Sequence, residues 1–169
     1  IAAEIRAGLE ACVKPNPKRA AELRALKEKY GTVLPKHYWP NLQVLNTWKC
    51  GNTDKYIEKF QGSFPDHMLH MEFGYFASEC RFGLVMDGSL NTVLFPHFHY
   101  YEFVREEDMD SENPEFLQLD QLEEGKRYCP FVTTWAGLYR YNMTDLLEVG
   151  PKYRNSPTVH LIQKTKGIV

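Results

Sequence analysis

The apolar residues of this chain change their period twice, and each change narrows the folds open to it. Up to residue 31 they recur at helical spacing. Ile1, Ile5 and Leu9 fall four apart among Ala and Glu, and Ala20, Leu23, Leu26 and Tyr30 return to one face of a second segment. The first segment should stop before Lys14-Pro15, because a proline pushes the residue ahead of it out of the helical region. The second carries its own punctuation, with Asn16 to cap it, Pro17 in its first turn and Gly31 beyond its last. A helical hairpin covering one face of a sheet is expected over 1–31.

From 32 to 79 the pattern reads strand, helix, strand. Residues 42–48 have the apolar density of a mostly buried strand. Asn52, Thr53 and Asp54 then open a short helix with Tyr56, Ile57 and Phe60 inward and Gly62 closing it, and 70–73 form the next strand. That order favours a parallel pair. After 79 the runs become short and closely spaced: 81–86 and 92–95 flank the turn signal Asp87-Gly88-Ser89, and 100–104 makes another strand. An acidic, solvated loop covers 105–115, hairpins are expected over 117–122, 127–135 and 137–141, and later strands over 146–149 and 158–162. The fold class is therefore α/β, a mixed β-sheet with flanking helices plus antiparallel β-hairpins. At 169 residues there is material for one core, so 1–169 reads as a single domain in three segments, 1–31, 32–79 and 80–169.

Two polar clusters stand at the ends of strand-like runs. Tyr75 offers a flat face for a base, Ser78 a hydroxyl for a phosphate, and Glu79 hard oxygens for Mg²⁺. Further on, Gly137-Leu-Tyr-Arg-Tyr-Asn-Met-Thr-Asp145 ends on an acid able to accept from ribose hydroxyls. Each has a plainer reading: an aromatic after a strand packs in the core, Glu79 is a strand-end carboxylate, and Asp145 turns its own backbone. Arg140 has two readings, a contact to phosphate and, the favoured one, a partner for an acid across the sheet. His97 and His99 lack a third ligand for zinc, and Pro96 breaks the strand there. His67, His70, Asp66 and Glu72 read as loop polarity.

Taken with their flanks the clusters resemble the GH3 family of acyl-acid amido synthetases, within the luciferase-like enzymes that form acyl adenylates. Leu34, Pro35, Trp39, Pro40, Asn41 and Leu42, then Trp48, Gly51 and Tyr56, then Tyr100-Tyr-Glu-Phe103 and Thr133-Thr-x-Ala-Gly-Leu-Tyr-Arg-Tyr141 are similar to that family's landmarks in the same order. The resemblance implies a fragment of the large N-terminal domain of an acyl-adenylate-forming enzyme, with the phosphate loop and a mobile domain elsewhere in a longer protein. It implies ATP and Mg²⁺ as cofactors, Tyr75, Ser78, Tyr141 and Asp145 around the nucleotide, and Glu79 as the metal ligand and in that sense the catalytic residue. Its partners would be a carboxylic acid and an amine or amino acid, and the isolated chain would be inactive. Two departures stand out: where the family has Tyr-Arg-x-Gly-Asp, this chain has Asn142 for the arginine and Thr144 for the glycine, and an arginine after the following strand gives way to Gln163-Lys164. Thr144 brings a Cβ into a turn that favours glycine, and with Asn142 this supports the alternative of a non-catalytic binding or scaffold protein; an acyl-CoA ligase-type relative, which shares the first half-reaction, is a further alternative.

Twenty basic against 22 acidic residues leave a net charge of −2, which argues against nucleic-acid or anionic-membrane partners. Cys12, Cys50, Cys80 and Cys129 form no CxxC pair, so a reducing cytoplasm is the expected setting. No apolar run reaches the ~18 residues of a membrane span. The chain starts at Ile1 and ends on Ile168-Val169, and reads as a piece of a longer protein.

Overall fold

The computed structural model describes residues 2–165, which form two compact units. Ile1, Ile168 and Val169, singled out above, lie outside the described residues.

One unit comprises residues 2–43 with Gly62–Met68. Helix α1 spans Ala3–Cys12 and α2 spans Pro17–Tyr30. The Asn16 side chain accepts the Arg19 N–H at 2.9 Å, Pro17 opens α2, and Gly31 closes it at φ 71°, so the punctuation read from sequence is what bounds this helix. Neither helix buries a residue. A single further turn, α3 at Pro35–Tyr38, follows, with the His37 ring stacked on Tyr30 at 4.1 Å and its Nδ1 accepting the Leu34 N–H.

The second unit comprises Val44–Gln61 with residues 69–165. Strand β1 (Val44–Thr47) runs parallel to β2 (Leu69–Glu72), as the strand, helix, strand order requires. Between them comes a helical stretch whose one α-turn is α4, Asp54–Ile57. Two expectations fail here. β1 is half exposed, with Val44 open to solvent, and Tyr56 and Phe60 face outward. A two-stranded sheet has too little surface to cover both faces of its strands.

The rest is antiparallel. Strands β3 (Gly83–Val85), β4 (Thr92–Leu94), β5 (Tyr100–Arg105), β6 (Arg127–Thr133), β7 (Tyr141–Asn142), β8 (Asp145–Tyr153) and β9 (Ser156–Lys164) form one sheet in the order β3-β4-β9-β8-β6-β5, with β7 also on β6. Leu117 makes only an isolated bridge to Phe103, and the turn after it is 3₁₀, so the hairpin expected over 117–122 is absent. The core gathers Tyr101 and Phe103 from β5, Tyr128 and Val132 from β6 and Leu147 from β8, together with Tyr75 and Phe82 from the segment ahead of β3. At Gly83 the sheet is so close that a Cβ would lie 2.0 Å from the Val93 carbonyl oxygen, which only glycine tolerates.

Pro130 explains a break that shapes the candidate site. It sits opposite Phe103 of β5, whose own N–H and C=O turn away to Leu117, so the edge of Pro130 that lacks a donor faces β7 and β8. On that side β6 pairs with β8 at 127–128 and with β7 at 131–132, but at Pro130 only its carbonyl is used, by the Met143 N–H. The neighbouring strand is interrupted there, and Met143 and Thr144 form the turn between β7 and β8.

Candidate functional site

The first cluster follows β2 through a backbone corner at Gly74, φ 95°. Glu72, the last residue of β2, is buried and accepts the backbone N–H groups of Gly74 at 3.0 Å and of Lys49 beyond β1. It ties the two strand ends together, and the reading of Glu72 as loop polarity is wrong. What was missed is that a carboxylate on the last residue of a parallel strand can satisfy backbone donors that the ladder leaves unpaired. Beyond the corner the Tyr75 N–H donates to Thr92 Oγ1 at 2.8 Å, and a tight turn over 76–81 closes through the Phe76 and Arg81 bridge and Ala77 N–H to Cys80 O. Ser78 stands exposed on that turn and Glu79 half-buried.

The second cluster is set by the break opposite Pro130. The Asn142 Oδ1 accepts the Thr144 N–H at 2.8 Å, and Thr144 itself takes φ 53°. Thr144 therefore holds a left-handed conformation that favours glycine, at the steric cost of a Cβ. Its hydroxyl donates to the Met143 carbonyl at 2.7 Å. Asp145 opens β8 directly across from Lys164 at the end of β9.

These two clusters meet. The Tyr75 hydroxyl donates to Asp145 Oδ2 at 2.5 Å across 70 residues of sequence. The Lys164 ammonium lies 2.7 Å from Asp145 Oδ1 and donates to the Met143 carbonyl at 3.2 Å. The two carboxylate oxygens are thus divided between two partners, Oδ1 to the Lys164 ammonium and Oδ2 to the Tyr75 hydroxyl. Asp145 is 2% exposed and the Lys164 side chain 53%, so the pair joins a buried charge to a half-solvated one. Burial first, and then Asp145, push the Tyr75 phenol well above its ordinary range, which keeps it a proton donor.

Tyr75, expected to offer a face to a base, is 6% exposed with its ring 4.1 Å from that of Phe82, so it is a core residue that orients Asp145. Tyr141, Ser78 and Glu79 are reachable from solvent. Arg140 forks onto the buried Glu102, Nε to Oε2 at 2.9 Å and Nη2 to Oε1 at 2.5 Å, and lies over the Phe116 ring at 4.3 Å. This is the pairing across the sheet anticipated for it. His97 falls in a turn, and no group of three or more His, Cys, Asp or Glu among the described residues could hold a metal ion. Glu79 accordingly offers one carboxylate and no closed cage.

In this α/β chain the end of a parallel strand thus delivers Tyr75 onto Asp145 at the start of the long β8–β9 hairpin. The chain superposes on the structure of the GH3.15 acyl acid amido synthetase with a TM-score of 0.74 at 22% identity, over 93% of this chain and 28% of that one. It belongs to the GH3 family: the family's N-terminal domain matches residues 1–69 and its central domain residues 92–164. Relatives include the indole-3-acetic acid-amido synthetase GH3.4 of Arabidopsis thaliana, 31% identical over 137 residues, covering 75% of this chain and 22% of that protein. The 4-substituted benzoates-glutamate ligase GH3.12 of the same plant is 27% identical over 134 residues, covering 76% and 23%. The chain thus spans about a quarter of the length of the relatives it matches.

Proposed function

We propose that the full protein is a ligase that uses ATP and Mg²⁺ to activate a carboxylic acid as an acyl adenylate and joins the acyl group to the amine of an amino acid. Bound ATP supplies the phosphoanhydride whose cleavage drives the joining, and Mg²⁺ the positive charge that steadies the phosphates. What this chain contributes is positioning.

The reading rests on the Asp145 carboxylate. Its Oδ2 is fixed by the Tyr75 hydroxyl, and its Oδ1 is held by the half-exposed Lys164 ammonium 2.7 Å away. A ribose diol is a donor suited to an acceptor held this way, and the half-exposed Lys164 would turn toward water to admit it. The Ser78 hydroxyl and Glu79 carboxylate would serve the phosphates and the metal. One carboxylate suits Mg²⁺, which keeps several waters and takes other ligands from phosphate oxygens. Tyr141 would line the nucleotide. Relatives named for indole-3-acetic acid and for 4-substituted benzoates make aromatic carboxylic acids the first substrates to try.

The test is exchange of labelled pyrophosphate into ATP by the full-length protein across a panel of carboxylic acids, followed by amine and thiol acceptors. Acid-dependent exchange and amide products are expected; silence across the panel from folded protein refutes the proposal. The competing reading, a scaffold that keeps the fold without turnover, is favoured by Asn142, whose side chain is used as a cap where the family has a guanidinium. The chain by itself, a quarter of such an enzyme, should catalyse nothing.

A further inference from the structure

Helix α2 carries five cations against two acids, and its Arg19, Leu23, Arg24 and Lys27 line an open cleft of about 550 Å³ whose other walls are Val33, Tyr38 and Trp39. With 3.6 residues to a turn, Leu23 and Lys27 stand one above the other, and Arg19 and Arg24 fall to either side of them. The sequence thus sets an apolar residue among cations on one face. Arg19 is already committed. Its Nη1 pairs with Glu22 at 2.5 Å and its Nη2 donates to the Tyr38 carbonyl at 3.0 Å, which ties α2 to the end of α3 and fixes the shape of the cleft. Arg24 and Lys27 are not. Among the described residues neither side chain has a hydrogen bond or an ion pair, although Glu28 lies one turn beyond Arg24. Like charges three residues apart on a helix repel each other, so a bound anion would stabilise this face.

The walls give the rest of the chemistry. Most of the surface that the cleft offers is carbon, and Trp39 is 54% exposed, open to a second ring against its own. Apart from the Tyr38 hydroxyl the lining has no neutral polar side chain, so sugar hydroxyls or peptide amides would be left without partners. No carboxylate lines the cleft, which leaves a cationic ligand nothing to meet. A guanidinium fork beside an ammonium suits phosphate oxygens, and a dianion matches both free charges where a monoanion matches one.

We propose that this cleft binds a small aryl phosphate monoester, its phosphate on Arg24 and Lys27 and its ring against Trp39 and Leu23. The site uses no residue of the Asp145 cluster and does not rest on the nucleotide reading.

Phenyl phosphate is a suitable probe, titrated into the full-length protein by calorimetry. Arg24→Gln and Lys27→Gln, both on an exposed helix face that glutamine suits, should each weaken it about fivefold, and together at least about tenfold. Benzenesulfonate, of similar shape with one charge, and inorganic phosphate, with the charge and no ring, should each bind at least about fivefold more weakly than phenyl phosphate. Trp39→Leu should weaken phenyl phosphate and leave inorganic phosphate unchanged, and the two glutamine variants decide alone if that protein fails to fold. No binding of phenyl phosphate would mean that the cations are only solvated or that the rest of the protein covers this face, and would overturn the proposal. Equal affinity for inorganic phosphate would reduce the site to loose counter-ion binding and overturn it too. So would phenyl phosphate binding that survives the double glutamine variant, which would locate the compound elsewhere, or tighter binding of N-acetyl phosphotyrosine amide, which would make the ligand a phosphorylated protein.

Discussion

Replacing Lys164 by methionine strands the Asp145 charge and tests whether this pair organises the site. Asp145 is almost wholly buried, yet its cation is half in water. Removing one partner of a fully buried pair costs about 3–5 kcal/mol, whereas an exposed pair contributes about 0–1 kcal/mol. With one partner of each kind and a 2.7 Å separation, Lys164→Met should cost about 2 kcal/mol. Methionine keeps most of the unbranched stem, so little of that is lost packing. For a domain of this size the melting temperature should fall by about 4–8 °C. The assay is thermal and urea denaturation of four proteins, the parent, Lys164→Met, Asp145→Asn and the double variant. Asparagine leaves no charge to strand and still accepts from Tyr75, so in its background Lys164→Met should cost less than about 0.5 kcal/mol. Equal cost in both backgrounds, or no cost in either, would show that the ion pair is incidental and remove Lys164 from the account of the site.

Gly83→Ala should destabilise by about 1–3 kcal/mol or prevent folding, because the new Cβ meets a backbone oxygen that cannot rotate aside; denaturant titration reads it. Thr144→Gly should leave stability within about 1 kcal/mol, relief of the left-handed Cβ offsetting the entropy of glycine; a loss above about 2 kcal/mol would mean that the Thr144 hydroxyl holds the turn. Glu79→Ala should leave the melting temperature unchanged and lower Mg²⁺-dependent pyrophosphate exchange at least about a hundredfold in the full-length protein. Burial raises the Cys50 and Cys80 thiols from 9.0 to about 12, and the Tyr75 phenol well above 10.0. The folded chain therefore keeps protons that the unfolded chain releases, and this stability is complete below pH 9 and lost as the pH climbs from 9 toward 12. His70 and His99 work in the opposite sense: burial holds both below 6.5, so their contribution is present above pH 6.5 and lost as the pH falls below it. Denaturation midpoints between pH 5 and pH 11 that stay level would contradict both assignments.

Local chemistry decided much of this protein in advance. Asn16, Pro17 and Gly31 bound α2 because a cap, a fixed φ and a left-handed exit act within one turn of chain. Asp87, Gly88 and Ser89 turn β3 into β4, with the Asp87 side chain accepting the Ser89 N–H, for the same reason. The strand, helix, strand order was enough for the parallel pair, and the order of landmarks was enough for the family. The interior of the candidate site was not legible in this way. Nothing near Tyr75 in sequence says that its ring packs on Phe82 and its hydroxyl finds Asp145, and nothing near Lys164 says that its ammonium lies against that same carboxylate. Thr144 was read as a disturbance of the turn, yet the Asn142 side chain and the break opposite Pro130 hold it in glycine's conformation. Glu72 passed for loop polarity until the ends of two strands were brought against it. Each of these depends on strand register, which side-chain packing sets across long stretches of chain, and a slip of one residue would have turned every one of these side chains to the opposite face.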